Sequence, residues 1–264
     1  MSNLTDNKVI DLGGLRIGDD KHPIFIAGPC SVESEEHILK AAFFLKKLGV
    51  HVLRGGCFKP RTSPYDFQGL GLEGIKYLKQ AGEKAKLPII TEVMEEKYID
   101  VVSECTDIIQ IGSRNMYNYP LLKALGHTKN PIMLKRGLSA TVKEWIMAAE
   151  YIAMGGNDKI IMCERGIRTF NDYTRNTLDL AAVSIIKRET GRPVIVDPSH
   201  GTGRRELVGP MSKAALACGA SGLMIEVHEE PAHALSDGNQ SLDFPQFEKL
   251  IMELRSIVNE PKAM

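Results

Sequence analysis

Four residues, far apart in the 264-residue chain, carry side chains that together could hold a metal ion. Cys30 offers a thiolate, His200 an imidazole, and Glu226 and Asp237 a carboxylate each. This mixture suits one borderline divalent ion such as Mn, Fe, Co or Zn, whereas Mg and Ca prefer oxygen ligands alone. Each residue also has a simpler interpretation: Cys30 could be a packing residue, His200 could cap a helix, and Asp237 could form an Asp-Gly turn.

A second group of residues is cationic and indicates anion binding. Lysine plus arginine number 33, as do aspartate plus glutamate, so the chain has no excess of positive charge. Six cations gathered in one place would repel one another unless an anion bound there. Guanidinium groups bind phosphate and carboxylate oxygens in pairs, although an arginine can also be structural and pair with a neighbouring carboxylate. The pattern predicts a site for more than one anionic group, formed by Arg54, Lys59, Arg61, Arg114, Lys135 and Arg165.

Short apolar runs precede most of these residues and predict the elements that position them. Each run is dense in Ile, Val, Leu or Met without polar alternation, which is typical of strands buried on both faces of a parallel sheet. The runs cover residues 23–28, 50–55, 87–93, 107–112, 131–137, 159–166, 193–199 and 222–228. Helical spacing between and after them predicts helices, for example over 34–49, 174–191 and 242–258.

Eight strands, each followed by a helix, indicate an α/β fold of the (β/α)8 TIM-barrel type, as a single domain over residues 1–264. An open doubly wound sheet shares this alternation and remains the alternative at this point. Residues around Gly13 and Gly14 predict a small N-terminal hairpin that covers the bottom of the barrel. In a closed barrel, eight strand ends surround one mouth about 15 Å across, so the candidate residues would converge.

Composition excludes several other classes of protein. A formal net charge of zero gives no overall attraction to nucleic acid or to an anionic membrane. No apolar run approaches the roughly 20 residues that cross a bilayer, and the first residues do not resemble a secretory signal. The five cysteines form no CxxC pair, which favours a reducing compartment over a disulfide framework. We therefore expect a cytoplasmic protein.

The segments at the predicted strand ends closely resemble a known enzyme family. They read GPCSVES, LRGGCFKPRTSPYDFQG, KRG, CERGIRTF, DPSHGTGRRE and EVHEEPAHALSDG. These motifs resemble the 3-deoxy-D-arabino-heptulosonate-7-phosphate (DAHP) synthases, in the short type I-beta form without a regulatory domain, from about residue 10 to residue 255. The resemblance implies condensation of phosphoenolpyruvate with erythrose 4-phosphate, the first committed step of the shikimate route to aromatic amino acids. It also implies the metal ligands Cys30, His200, Glu226 and Asp237.

The nearest alternative is 3-deoxy-D-manno-octulosonate-8-phosphate synthase, which is similar in fold but uses arabinose 5-phosphate. The loop after the second strand of the barrel distinguishes the two families. Here it reads Lys59-Pro60-Arg61-Thr62-Ser63, which resembles the heptulosonate enzymes, whereas the octulosonate enzymes carry an Ala-Asn-Arg version. The acceptor is therefore expected to be erythrose 4-phosphate, with its phosphate at Arg61, Thr62 and Ser63.

The resemblance also implies how phosphoenolpyruvate binds. Its phosphate is expected at Arg114 and Arg165, helped by backbone N–H groups near Ser113, and its carboxylate at Arg54, Lys59 and Lys135. General experience with these barrels would instead place a phosphate after strands seven and eight, where Arg204 or Arg205 could add positive charge.

The same resemblance suggests a mechanism. The metal, held through Cys30 and His200 among its ligands, would polarise the aldehyde as a Lewis acid. Lys135, crowded by other cations, would donate the proton, and Glu92 would assist the water that attacks the enol carbon. Alternatively, Glu92 only positions its basic neighbours.

Further expectations concern regulation, assembly and redox chemistry. The chain has no room for a fused regulatory domain, so a separate chorismate mutase could supply control, and a homo-oligomer (dimer or tetramer) is expected from the resemblance. Loss of metal under oxidising conditions could join Cys30 to Cys57, although Cys57 could equally be an inert packed residue. A non-catalytic scaffold is the alternative from a different class, and the intact ligand set speaks against it.

Overall fold

The computed structural model describes residues 8–19, 22–61 and 63–258, and its centre is a closed barrel of eight parallel strands. β1 (Ile10–Leu12) and β2 (Leu15–Ile17) form a separate antiparallel hairpin. The barrel strands are β3 (Ile24–Gly28), β4 (Val52–Arg54), β5 (Ile89–Glu92), β6 (Ile108–Ile111), β7 (Ile132–Lys135), β8 (Ile160–Glu164), β9 (Val194–Val196) and β10 (Gly222–Glu226). All eight predicted strands are confirmed.

Closure of the sheet rules out the open, doubly wound alternative. β10 pairs in parallel with β3 over five residues, from Gly222 opposite Ile24 to Glu226 opposite Gly28, and also pairs with β9. Every other barrel strand pairs with its neighbours in chain order. The carboxyl ends of all eight strands therefore surround one mouth, as the (β/α)8 prediction requires. A single domain over residues 1–264 stays a prediction, because both ends lie outside the described residues.

Helices connect successive strands and cover the outside of the barrel. They are α1 (Glu35–Lys47), α2 (Gly71–Ala85), α3 (Ile99–Cys105), α4 (Tyr119–Leu125), α5 (Val142–Ala153), α6 (Ala181–Thr190), α7 (Pro198–Thr202), α8 (Arg205–Ala217) and α9 (Phe244–Ile257). Ser34 caps α1 by accepting a hydrogen bond from the backbone N–H of His37. The predicted helices over 34–49 and 242–258 are confirmed by α1 and α9.

The prediction of a helix over 174–191 is wrong in its first third, because α6 begins only at Ala181. Residues 174–180 belong to the loop after β8, which is anchored by a bridge between Ile167 and Thr177. The segment is rich in Thr, Asn and Asp, whose side chains compete with helical hydrogen bonds by bonding to nearby backbone. Thr174 Oγ1, for example, donates to the carbonyl of Asn176.

The hairpin closes the bottom of the barrel, as predicted. Ile10 and Ile17 are buried in one apolar cluster with inward-facing strand residues such as Ile24 and Met224. A larger apolar cluster lies between the strands and the helices. Burial of these two apolar clusters stabilises the barrel. The carboxyl ends of its strands form the polar face, opposite the hairpin. In the described part of the chain, no helix is long and apolar enough to cross a bilayer.

Candidate active site

A cavity of about 330 Å³ opens at the carboxyl ends of the barrel strands. It is strongly polar, and its walls come from the loops after most of the strands. Eleven of the predicted site residues line it: Arg54, Lys59, Pro60, Arg61, Glu92, Ser113, Arg114, Lys135, Arg165, His200 and Asp237. Cys30 and Glu226 lie deeper and are buried. The strand-end residues therefore converge as the sequence predicts.

The four predicted metal ligands form one cluster. Their ligand atoms all lie within 4.8 Å of one another. Cys30 Sγ lies 2.9 Å from Asp237 Oδ2, and His200 Nε2 lies 3.4 Å from Glu226 Oε1 and 3.9 Å from Asp237 Oδ2. The simpler interpretations, a packing cysteine and an isolated Asp-Gly turn, do not account for this convergence.

Local backbone geometry explains how the ligands reach the cluster. Gly28, two residues before Cys30, has φ of 150°, and a Cβ there would lie 2.1 Å from the Arg54 carbonyl oxygen, so only glycine fits. Asp197 caps the short helix α7 by accepting from the backbone N–H of His200, which presents the His200 ring to the mouth. Asp237 adopts a left-handed φ of 51°, which turns its carboxylate inward.

Asp197 also fixes which nitrogen of His200 faces the cluster. Nδ1 of His200 lies 2.8 Å from Asp197 Oδ2, so a neutral ring donates its Nδ1 proton there and leaves the Nε2 lone pair open. Burial lowers the pKa of His200, which favours this neutral form. A carboxylate behind a histidine is the usual support of a metal-ligating imidazole.

The electrostatics of the cluster also fit a cation. Burial, followed by the nearby Glu226 carboxylate, raises the pKa of the Cys30 thiol to about 12. Although burial opposes ionisation of Asp237, neighbouring His200 and Lys59 keep its pKa below its ordinary value. Lys59 Nζ lies 2.7 Å from Cys30 Sγ and opposes this rise in the pKa of the thiol. One thiol, one neutral imidazole and two carboxylates at this spacing suit a borderline divalent ion.

The cations of the mouth divide into paired and unpaired groups. Arg54 Nη1 lies 2.5 Å from Glu226 Oε1, and Lys135 Nζ lies 2.6 Å from Asp197 Oδ2. The sequence predicted Lys135 among cations with Glu92 as the nearby carboxylate, whereas the structure pairs it with the buried Asp197. These contacts tie Arg54 to a predicted metal ligand and Lys135 to the carboxylate behind His200.

Arg114 and Arg165, by contrast, form no ion pair with any carboxylate of the described chain. Nη1 of Arg165 is buried without a hydrogen-bond partner, and burial lowers the pKa of this guanidinium. An unpaired buried guanidinium is costly unless an anion completes it. Arg168, to which the sequence analysis gave no role, also lines the cavity and forms no ion pair with a described carboxylate. This side of the cavity is therefore suited to a phosphate.

Glu92 lies between the cationic residues with little hydrogen bonding of its own. Oε2 receives one long bond of 3.4 Å from Gln110 Nε2, whereas Oε1 is buried without a partner. Burial raises the pKa of Glu92, even though Lys59, Lys135 and Arg114 oppose that shift. A carboxyl group that is easily protonated and lines the cavity is able to exchange a proton with a bound water.

The loop after β4 supplies the opposite wall of the cavity. Arg61 Nη2 lies 3.0 Å from Asp66 Oδ2, so an incoming anion would compete with this carboxylate. Ser63 is not among the lining residues of the cavity and accepts a bond from the N–H of Tyr65. Thr62 lies outside the described residues.

Three other residues that the sequence analysis singled out do not line the mouth. Arg204 Nε donates to Glu206, Arg205 Nη2 donates to the Gly238 carbonyl, and neither lines the cavity. The thiol of Cys57 is buried and lies 3.8 Å from the Gly55 carbonyl oxygen. Its disulfide with Cys30 stays a prediction.

Five residues that sequence reasoning left without a role contribute to the site: Asp197, Arg168, Arg175, Asn176 and Gln240. Asn176 Nδ2 donates to the carbonyl of His200 and holds the α7 turn. Asp197 and Arg168 stood inside quoted motifs, so a signal existed for them. Arg175 and Asn176 were hidden by the helix wrongly predicted over 174–191.

A second group of possible ligands, Glu33, His37 and His228, lies outside the cavity. Nδ1 of His228 accepts a hydrogen bond from the backbone N–H of Glu230 at 3.0 Å, so the neutral ring carries its proton on Nε2. That Nε2 lies 3.4 Å from Glu33 Oε2 and is occupied as a donor. A metal there would need a doubly deprotonated ring, which disfavours this group as a metal site.

A closed (β/α)8 barrel, with a four-ligand cluster and unpaired guanidinium groups at its strand ends, defines an enzyme that acts on anionic substrates. The chain belongs to the DAHP synthetase I family, whose profile matches residues 4–260. This confirms the resemblance seen in the sequence.

Individual relatives agree with the family. The phospho-2-dehydro-3-deoxyheptonate aldolase of Thermotoga maritima is 53% identical over 254 residues, covering 96% of this chain and 75% of the relative. The crystal structure of the DAHP synthase from Thermotoga maritima superposes with a TM-score of 0.93 at 52% identity, covering 96% of this chain and 74% of that one. A 2-dehydro-3-deoxyphosphooctonate aldolase of Syntrophotalea carbinolica is more distant, at 34% identity over 89% of this chain and 91% of the relative.

Proposed function

We propose that the chain catalyses the metal-dependent condensation of phosphoenolpyruvate with erythrose 4-phosphate, giving 3-deoxy-D-arabino-heptulosonate 7-phosphate and phosphate. The observation that carries this proposal is the meeting of two features in one cavity. The Cys30–His200–Glu226–Asp237 cluster borders the same space as the unpaired guanidinium groups of Arg114 and Arg165. The family and the Thermotoga relative support the same reaction.

Phosphoenolpyruvate takes the side of the mouth formed after β6 and β8. Its phosphate satisfies Arg114 and the buried Nη1 of Arg165, with the exposed Arg168 as a further donor. Its carboxylate faces Lys59, Lys135 and Arg54. Because these three cations already pair with Asp237, Asp197 and Glu226, they orient the carboxylate without requiring it for charge balance.

The acceptor spans the remaining distance across the mouth. Its aldehyde end lies at the metal cluster, and its phosphate displaces Asp66 from Arg61. Pro60 stiffens the loop between Lys59 and Arg61, since proline has a fixed φ. We place Thr62 and Ser63 at the same phosphate group as Arg61. The short Lys-Pro-Arg-Thr-Ser loop supports a four-carbon aldose over arabinose 5-phosphate.

The reaction balances with one water. C3 of phosphoenolpyruvate bonds to the aldehyde carbon, the carbonyl electron pair moves to the aldehyde oxygen, and that oxygen takes a proton. Water adds to C2 and loses one proton, which leaves a hydroxyl there. The C2–O bond to phosphate then breaks with its electron pair on the phosphate, which takes the hydroxyl proton as the keto group forms. When bound, a divalent ion (Mn, Fe, Co or Zn) supplies Lewis-acid chemistry at the acceptor carbonyl.

Two residues of the chain handle the protons. Lys135 donates to the aldehyde oxygen, and its ion pair with Asp197 holds the ammonium in place. Glu92, whose raised pKa lets it exchange a proton, accepts from the attacking water. Cys30 and His200 would hold the metal, together with Glu226 and Asp237. In the alternative role, Glu92 only positions Lys135 and Arg54.

The proposal is tested by following the ultraviolet absorbance of phosphoenolpyruvate during incubation with metal-reconstituted protein. Erythrose 4-phosphate and arabinose 5-phosphate are offered in parallel, each with and without a chelator. Fast, chelator-sensitive loss with erythrose 4-phosphate alone is the expected result. A preference for arabinose 5-phosphate would overturn the assignment of the acceptor, and no consumption with either sugar would revive the non-catalytic scaffold.

We make further proposals about the assembly, the partners and the cellular location of the protein. We expect a homo-oligomer, a dimer or a tetramer, which light scattering of the purified protein would detect. A separate chorismate mutase could confer control, and co-purification from the native source tests for it. No nucleic-acid or membrane partner is expected from the balanced charge, and the proposed location is the cytoplasm.

A further inference from the structure

Each of the two carboxylates of the cluster points one oxygen towards the other predicted ligands. Its second oxygen accepts a hydrogen bond from a residue outside the cluster. Glu226 Oε1 faces Arg54 and His200, while Glu226 Oε2 accepts a 2.9 Å hydrogen bond from Gln240 Nε2. Gln240 is buried, with only 3% of its surface exposed. Its amide is therefore a fixed donor, and not one that exchanges freely with solvent.

The second carboxylate is held by Arg175, whose side chain is 41% exposed. Asp237 Oδ2 faces Cys30 and His200, while Asp237 Oδ1 accepts a 3.1 Å hydrogen bond from Arg175 Nη1. The same Nη1 lies 3.5 Å from Gln240 Oε1. Gln240 and Arg175 thus form a continuous chain between the outer oxygens of the two carboxylates, which we call the carboxylate bridge.

The carboxylate bridge also forms a wall of the metal cluster. Arg175 and Asp237 line the mouth cavity and, on their other side, a second cavity of about 630 Å³ that Gln240 and Arg205 also line. Gln240 comes from the loop after β10 and Arg175 from the loop after β8, so the bridge joins two separate loops. Asp237 itself has a left-handed backbone, which an aspartate keeps only when its surroundings hold it.

We propose that Gln240 and Arg175 are positioning residues that make Glu226 and Asp237 one-oxygen ligands and slow the escape of the metal towards the second cavity. Partners of this kind orient the ligand and set its affinity without touching the metal. The inference rests on the proposed metal site and extends it to two residues outside the ligand set. It assigns no role to these residues in the transfer of protons.

The test measures binding of Mn²⁺ to the whole protein by electron paramagnetic resonance of the free ion, together with its release into excess chelator. Gln240→Leu keeps the volume but removes the donor, and Arg175→Met removes the guanidinium. We expect each variant to bind Mn²⁺ about 10- to 100-fold more weakly and to release it faster. The double variant should lose less than the product of the two single losses, because both residues serve one bridge.

Controls separate this role from general loss of structure. Asn239→Ala, in the same loop but exposed, and Arg204→Met, an exposed arginine paired with Glu206, should bind Mn²⁺ as the wild type does. The Co²⁺ absorption spectrum should change in Gln240→Leu, since a freed Glu226 can use both oxygens, whereas a purely structural defect would lower the melting temperature alone. Affinity and release within twofold of wild type in both variants would overturn the proposal. If the wild type binds no Mn²⁺, the metal site itself is wrong.

Discussion

Lys135 Nζ lies 2.6 Å from Asp197 Oδ2, and Nδ1 of His200 lies 2.8 Å from the same oxygen. One buried carboxylate therefore supports both the proposed proton donor and a proposed metal ligand. Burial alone would raise the pKa of Asp197, but His200 and Lys135 hold it well below its ordinary value. The predicted ligand cluster and the proposed proton donor are thus connected through a single side chain.

Replacing Asp197 with Asn should damage both functions at once. The amide keeps the shape but removes the charge that holds Lys135 and replaces one of the two acceptor oxygens that hold His200. We expect metal affinity to fall about 10- to 100-fold and turnover to remain low even at saturating metal. Equilibrium metal binding and steady-state kinetics on the same preparation measure the two losses. Full turnover at saturating metal would separate Lys135 from Asp197.

Replacing Lys135 with Met should abolish turnover and leave metal binding intact. Lys135 contacts Asp197 but none of the four ligands within ion-pair distance, so loss of the proton donor should cost about 10²- to 10⁴-fold in kcat. The exposed Lys159→Met is the matched control and should behave as the wild type. Substantial residual turnover in Lys135→Met would remove this residue from proton transfer.

Arg61 and Arg165 should control the binding of different substrates. Loss of a charged hydrogen bond costs about 1.5–3 kcal/mol, or roughly 10- to 100-fold in affinity. Arg61→Gln should raise the KM for erythrose 4-phosphate by that factor, and Arg165→Gln the KM for phosphoenolpyruvate. Asp66→Asn frees Arg61 from its partner and should lower the KM for erythrose 4-phosphate. If Arg61→Gln changed only the KM for phosphoenolpyruvate, the acceptor assignment would be reversed.

Glu92 should make the folded state less stable as the pH rises. The pKa of this buried carboxyl is raised above 4.5, so the folded protein retains a proton that the unfolded chain releases at higher pH. Glu92→Gln should therefore melt at a higher temperature than wild type near neutral pH, and this gain should vanish below pH 4.5. The exposed Glu95→Gln serves as the control, with no such pH-dependent gain. A Glu92→Gln variant less stable than wild type at neutral pH would contradict the assignment.

The sequence alone predicts the barrel and most residues of its mouth, for a physical reason. Buried parallel strands need continuous apolar runs, and residues such as Glu226 and Lys135 stand where those runs end. The closed topology then brings the strand ends together without further information. Asp237 stands in a loop well past its strand, and resemblance to the family supported its assignment more than spacing did.

What the sequence does not provide is the pairing of side chains across loops. Arg175 follows an apparent helical pattern, yet Thr174 donates to the Asn176 carbonyl and Asp179 accepts from the N–H of Ala182, so that α6 begins only at Ala181. The ion pair of Lys135 with Asp197 joins residues 62 positions apart. Which cations are already neutralised, and which remain free for an anion, depends on such contacts and requires the structure.

The most direct test of the account is a titration of metal-stripped protein with Mn²⁺, in which bound metal and turnover with phosphoenolpyruvate and erythrose 4-phosphate are measured together. We predict no turnover without metal, a rise in proportion to bound metal that stops at one ion per chain, and loss of both in Cys30→Ser. His37→Gln, in the second group of possible ligands, should match the wild type. Full turnover by metal-free protein, or a Cys30→Ser variant that binds and reacts as the wild type does, would contradict the account.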